Sequence, residues 1–241
     1  MNKYKPLLPG TERPLIVLST VKDSHRYETQ PPNGMGYMNK HEASIVAGIV
    51  AKVVNSQPEE NRDEYIASIE HKMGIISAYG AQVRLIREYI AKSVPEISQK
   101  QLRGMVASLD SFQGQERPLI IYSLTRSSKT KPSYKARVGF MKELRRLNVA
   151  FTRAQQQLIV VGDVEYLAEC MYTQRQDGVE EWNCSKEFEP KEIGSQEILE
   201  CSECNAVCER KFARFIRLLL QHVSAGEGEL LLTNDIIDRG A

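Results

Sequence analysis

The sequence predicts an α/β fold, a parallel sheet covered by helices on both faces. Short apolar runs rich in β-branched residues recur along the first two thirds of the chain, as at residues 14–21 and 119–124. They are apolar throughout rather than alternating, which is the pattern of strands buried on both sides. Between them, apolar residues return every three or four positions, the period of a helix with one buried face. Alternation of the two kinds of segment argues for crossover connections and hence a parallel sheet.

Each element has its own signal. Residues 14–21 are a β-branched strand, followed by a polar loop over 22–38 that holds two prolines and two glycines. Asn39 is placed to cap a helix whose inner face carries Ala43, Val46, Ala47, Val50 and Val54. A second helix is expected over 59–69. Gly74-Ile75-Ile76-Ser77 reads as a short strand, and 81–92 as a helix with Val83, Ile86 and Ile90 inward. Strands follow at 105–109 and 119–124, joined by a polar loop over 110–117. A basic loop, an arginine-bearing helix and a strand at 158–161 come next, and Asp163 caps a short helix through Tyr166 and Leu167. Parallel sheets gather ligands at the carboxyl ends of their strands. The polar segments 77–82 and 110–116 and the loop after Leu124 all follow strands, so they are expected to converge there.

Composition bounds the class of protein. The 241 residues suffice for a substantial core, and 41% hydrophobic with 26% charged residues is ordinary for a globular domain. The net charge of +1 hides an asymmetry: residues 173–241 hold eight basic and fourteen acidic residues, the rest 24 and 17. A basic body with an acidic tail suits a polyanion-binding body. The amino-terminal residues are not an export signal, and no apolar run reaches the roughly 18 residues of a membrane span. An intracellular location, cytoplasmic or nuclear, with reduced thiols and no membrane partner, is expected.

Two segments carry the chemistry. Arg145-Arg146-Leu147-Asn148-Val149-Ala150-Phe151-Thr152-Arg153-Ala154 packs three arginines into ten residues. As a helix it puts Leu144, Leu147, Phe151 and Ala154 near one face and Arg146, Val149 and Arg153 on the next stripe. Guanidinium groups are always charged and fork onto phosphate oxygens, although a solvated basic face has the same spacing. The loop Asp110-Ser111-Phe112-Gln113-Gly114-Gln115-Glu116 is dense in hydrogen-bonding groups. Gly114 permits close approach of a ligand to the backbone, and Glu116 can accept hydroxyl donors.

Taken together, these segments resemble superfamily-one helicases. Residues 108–126, from Ser108-Leu109-Asp110-Ser111-Phe112-Gln113-Gly114-Gln115-Glu116 to Ser123-Leu124-Thr125-Arg126, resemble motif V. Arg146-Leu147-Asn148-Val149-Ala150-Phe151-Thr152-Arg153-Ala154 resembles motif VI, and Gly74-Ile75-Ile76-Ser77-Ala78-Tyr79-Gly80-Ala81-Gln82 resembles motif IV. The branch is that of the nonsense-mediated decay helicase and senataxin, and the resemblance covers residues 14–170. It implies a RecA-like carboxyl-terminal motor domain over residues 1–172, with an acidic, mostly helical appendage over 173–241. By that resemblance Arg153 is the arginine finger of an ATP site, and Gly114, Glu116 and Arg146 line the nucleotide. Ser77, Tyr79, Ser108 and Gln113 lie near a nucleic-acid strand. Implied ligands and partners are ATP with Mg2+, single-stranded DNA or RNA, and an amino-terminal RecA-like domain.

The departures are specific. Ala78 stands where the branch usually has proline, Phe151 where it has leucine, and Gln155 where a basic residue is common. The pattern G-x-x-x-x-G-K-[ST], whose amides and lysine cradle phosphates, does not occur in these residues. The chain is therefore expected to hold half of an ATP site and not to hydrolyse ATP alone. The alternative is a non-catalytic module, derived from a helicase half, that binds nucleic acid or protein.

Two further features stay open. The loop from Arg126 to Arg137 holds five cations and one tyrosine, suiting a single strand or simply solvent. Cys201, Cys204 and Cys208, with Cys184 or His222, have the spacing of a zinc site. The same cysteines continue at helical spacing into Phe212, Phe215 and Leu219, and the sequence favours that apolar stripe over zinc.

Overall fold

The computed structural model describes residues 5–32, 34–112, 114–129, 139–142, 148, 150–168 and 211–232. Among these residues the strands are β1 (Leu15–Ser19), β2 (Met73–Ser77), β3 (Val106–Ser108), β4 (Arg117–Ser123), β5 (Ala154–Gly162) and β6 (Glu229–Leu232). They form one sheet in the order β3-β2-β4-β5-β1-β6, every neighbouring pair parallel. The fold is the RecA-like α/β arrangement the sequence implied.

Each central strand splits its apolar residues between two faces. Ile16, Leu18, Ile75, Ile121, Ile159 and Val161 point to one side, and Val17, Ile76, Ile120, Tyr122 and Val160 to the other. The first face is covered by α1 (Lys40–Asn55), α2 (Glu59–Ala67), α3 (Ile69–Lys72), α4 (Gly80–Ser93) and α5 (Gln99–Met105). Asn39 caps α1 as expected, its Oδ1 accepting the Glu42 N–H at 3.0 Å. The expected helix over 59–69 breaks at Ser68 into α2 and α3. Helix α5 was not anticipated, although Ser98 and Gln101 form a reciprocal capping box at its start.

The second face is covered by irregular segments and by the tail. Phe112, Met141 and Ala150 pack there with α6 (Val164–Ala168), whose Tyr166 N–H donates to Asp163 Oδ1 at 3.1 Å. Residues 211–232 complete it: Ile216, Leu219 and Leu220 of α7 (Lys211–His222) are buried, and β6 pairs in parallel with β1. The helical stripe through Phe215 and Leu219 is therefore real, while the cysteines at its start lie outside the described residues. No described helix is long and apolar enough to cross a membrane.

The path from β3 to β4 sets the geometry of everything functional. Parallel neighbours require the chain to return from the carboxyl end of one strand to the amino end of the next. Here the return is short, one turn of 3-10 helix at Asp110–Phe112, and it crosses the face of β2, which lies between the two strands. The fully buried Phe112 ring sits on Gly74 of β2, where a Cβ would lie 2.3 Å from Phe112 Cζ and 2.7 Å from Ile120 Cδ1. Gly74 is thus the hollow that lets Phe112 cross.

A Gly74→Val substitution should lower stability by about 1–3 kcal/mol through overpacking. Chemical denaturation followed by circular dichroism measures it, and an unchanged midpoint would contradict the close contact.

Candidate functional site

The carboxyl end of the sheet is built around one carboxyl group. Glu42 lies in the first turn of α1 and is fully buried. Its Oε2 accepts the Ser123 hydroxyl at 2.7 Å and the Thr125 N–H at 2.8 Å, and its Oε1 accepts Asn39 Nδ2 at 3.2 Å. Burial pushes the Glu42 carboxyl from 4.5 up to about 8. The Ser123 and Thr125 hydrogen bonds pull it down, while Asp163 and Glu28 push it further up. Gln82, also buried, joins motif IV to the same network: its Oε1 accepts the Asn39 N–H at 2.7 Å, and its Nε2 donates to Asn39 O and Ser123 Oγ, both at 3.1 Å.

This network holds a strained turn. Thr125 has φ 70°, and among the described residues it is the one non-glycine with a positive φ. For a β-branched residue that conformation is an outlier, stabilised here by Glu42 on its amide and by Ser77 Oγ, 2.9 Å from its hydroxyl. The turn aims the next residue inward. Arg126, expected as a loop cation, is only 2% exposed. Its Nε is 2.9 Å from Glu28 Oε2, its Nη1 donates to the Tyr79 hydroxyl at 3.2 Å, and its guanidinium lies 3.9 Å from the centre of the Tyr37 ring. Ser127 donates its hydroxyl to Asp163 at 2.7 Å, where Arg26 also bonds at 2.8 Å. The root of the basic loop is therefore bolted to the loop over 22–38.

The residues expected near a strand divide by depth. Ser77 and Tyr79 are buried in this network and shape the end of the sheet from beneath. Ser108 is at the surface, its hydroxyl 2.9 Å from that of the exposed Ser111. Gln113 lies outside the described residues.

The other expected group does not converge with them. Arg117 pairs with Ala154 at the amino ends of β4 and β5, so Glu116 and Arg153 stand at the end of the sheet opposite Ser77. The loop over 110–116 begins at one end and finishes at the other. Arg153 is not on a helical stripe either: Ala154 already belongs to β5, and the Arg153 carbonyl accepts the Arg117 N–H at 3.0 Å. Its Nη1 is 3.9 Å from Glu116 Oε1, its Nη2 donates to Thr152 Oγ1 at 3.2 Å, and the side chain is 23% exposed. Phe151, the unusual aromatic, packs between Tyr122 and Phe215, ring centres 5.7 and 5.0 Å away. Gly114 has φ 79°, with open space where a Cβ would stand, so backbone there can meet a ligand. Arg146 lies outside the described residues.

A family model described as an AAA domain matches residues 5–165. The chain belongs to that family. It is a superfamily-one helicase motor domain, of the branch that holds the nonsense-mediated decay helicase and senataxin. The DNA polymerase alpha-associated DNA helicase A of Saccharomyces cerevisiae is 43% identical over 101 residues, 42% of this chain and 13% of the relative. Regulator of nonsense transcripts 1 from Dictyostelium discoideum is 35% identical over 136 residues, 56% of this chain and 9% of the relative. The Drosophila melanogaster homologue of that regulator is 31% identical over 162 residues, covering 66% and 12%. The helicase motor domain thus corresponds to a small share of these relatives.

Glu42 and Glu28 were not among the residues singled out from sequence. Glu42 did leave a trace, because it stands in register with Val46 and Val50, an acid on the apolar face of α1. Glu28 left none, being one polar residue in a polar loop. Among the described residues of the motor domain no three His, Cys, Asp or Glu side chains are placed to hold a metal.

The raised Glu42 pKa fixes a pH dependence. The folded state holds its proton more tightly than the unfolded chain, so the stabilisation is full below about 4.5 and is lost as pH rises through about 8. Against Glu42→Gln, which cannot ionise, wild type should therefore lose relative stability across that window. Thermal melts of both proteins across the window read the difference, and one that does not vary with pH would contradict the assignment.

Proposed function

We propose that this chain is the second motor domain of an ATP-dependent DNA or RNA helicase, supplying an arginine finger and part of the nucleic-acid track. One observation carries the reading: Arg153 and Glu116 meet at the amino end of β4 and β5, while the Ser77 and Ser108 end of the sheet faces away from them. A motor needs two separated sites joined by something stiff, and the loop from Ser108 to Glu116 runs between these two.

At the nucleotide end, Arg153 brings fixed charge and several N–H donors to the γ-phosphate of a nucleotide held between two motor domains. It neutralises the charge that builds on the phosphoryl oxygens during transfer. Its neighbour does not compete strongly, since an ion pair as exposed as Arg153–Glu116 contributes about 0–1 kcal/mol. Glu116, 54% exposed, accepts ribose hydroxyls. Gly114 lets backbone approach the phosphates, and Arg146 adds a second cation. This donor set fits a polyanion, and its one carboxylate, Glu116, faces the Arg153 cation, so we assign Mg2+ to a phosphate-loop domain. ATP supplies the phosphoanhydride whose hydrolysis reopens the two domains.

At the other end, Ser108 contacts the strand, and Ser77 and Tyr79 support that surface from below; the resemblance adds Gln113 as a further strand contact. The Thr125–Arg126 turn anchors the basic loop, whose exposed Lys129 takes a phosphate. The domain alone is not sufficient for hydrolysis.

Joined to a phosphate-loop motor domain, Arg153→Ala should cut nucleic-acid-stimulated ATP turnover by about 10³-fold or more while leaving ATP binding nearly intact. Steady-state turnover and nucleotide titration measure the two separately. Unchanged turnover removes the finger from the account.

A further inference from the structure

Three aromatic rings form a ladder at the carboxyl end of the sheet, and its outermost member stands in water. Tyr37 meets Tyr79 edge to face at 5.8 Å, and Tyr79 meets Phe140 at 5.8 Å with planes tilted by 57°. Tyr79 is buried, but Phe140 is 63% exposed. Of the four large apolar side chains exposed among the described residues, Phe140 is the aromatic one.

The exposure is built in by the backbone. Gly139 has φ 53°, and a Cβ there would lie 2.6 Å from the Tyr79 hydroxyl and 2.7 Å from Arg126 Nη1. Glycine alone lets the chain pass this close. The Phe140 N–H then bonds to the Tyr79 hydroxyl, so the ring is held from both its backbone and its inner edge. The anchors of this position are the same side chains, Tyr79 and Arg126, that Glu28 and the Glu42 network fix.

We infer that Phe140 is a stacking platform for one unpaired base of the bound single strand. The inference rests on the nucleic-acid reading above. A base has a π-face that continues the ladder outward, and stacking accepts any base. Charge favours this occupant over an apolar protein segment: the exposed Lys129, 5.3 Å from the Tyr27 ring, follows three residues after Arg126, which anchors this position, and suits a flanking phosphate.

The test uses the full chain with two fluorescent probes of equal length, an oligodeoxythymidylate and its abasic counterpart, which keeps the phosphates without the bases. Phe140→Ala should weaken oligothymidylate binding by about 5- to 150-fold, the range for loss of one base stack, and leave abasic binding unchanged. The salt slope should not move, since no charge is removed. Phe140→Tyr should restore affinity. Unchanged oligothymidylate affinity in Phe140→Ala, or equal weakening for both probes, overturns the inference, as does a wild-type dimer that the substitution dissolves. Wild type that binds both probes equally overturns the stacking role alone. Wild type that binds neither brings down the nucleic-acid reading as well.

Discussion

Glu42 brings a carboxyl group to a place without water, and the surrounding elements have to replace the hydration it loses. Ser123 at the end of β4, the Thr125 amide beyond it and Asn39 at the start of α1 each donate to it. An unpaired buried acid would be costly, so these elements cannot drift apart without exposing it. Because Thr125 is held at positive φ by the same carboxyl, the direction of the chain into the basic loop is decided here. Arg126 then turns inward onto Glu28, Tyr79 and Tyr37 rather than outward to solvent. The carboxyl end of the sheet, where the proposed strand would lie, is thereby supported by a layer of buried polar contacts.

The opposite end depends on a steric constraint instead. Phe112 crosses β2 because Gly74 offers no side chain, and the crossing carries the chain from Ser108 at one end of the sheet to Glu116 at the other. One short, packed segment therefore touches both candidate sites. A segment fixed by a fully buried ring transmits displacement rather than absorbing it. On the proposed reading, this segment would link a strand held at one end to a nucleotide held at the other.

Much of this is legible in the sequence. The β-branched runs and the three- and four-residue spacings located β1, β2, β4, α1 and α4, because strands buried on both faces and amphipathic helices leave strong periodic signals. Motif spacing singled out Arg153, Glu116 and Gly114. Less visible was which end of the sheet each would occupy, since the rule that ligands gather at carboxyl ends ignores a loop that crosses the sheet. Strand β6 and the docking of α7 were missed because an acidic, cysteine-bearing tail reads as separate from the body it completes. Arg126 was read as one of five loop cations, and nothing local to it in sequence reports Glu28, 98 residues away, as its partner.

The central claim is that the two ends of the sheet serve different ligands. Hydrogen exchange of the chain with and without a single-stranded oligothymidylate tests it most directly. The account predicts slowed exchange at the amides of residues 108–112 and 139–141, with residues 114–117 and 152–155 unchanged. Protection confined to 114–117 and 152–155, with the carboxyl end untouched, would contradict it.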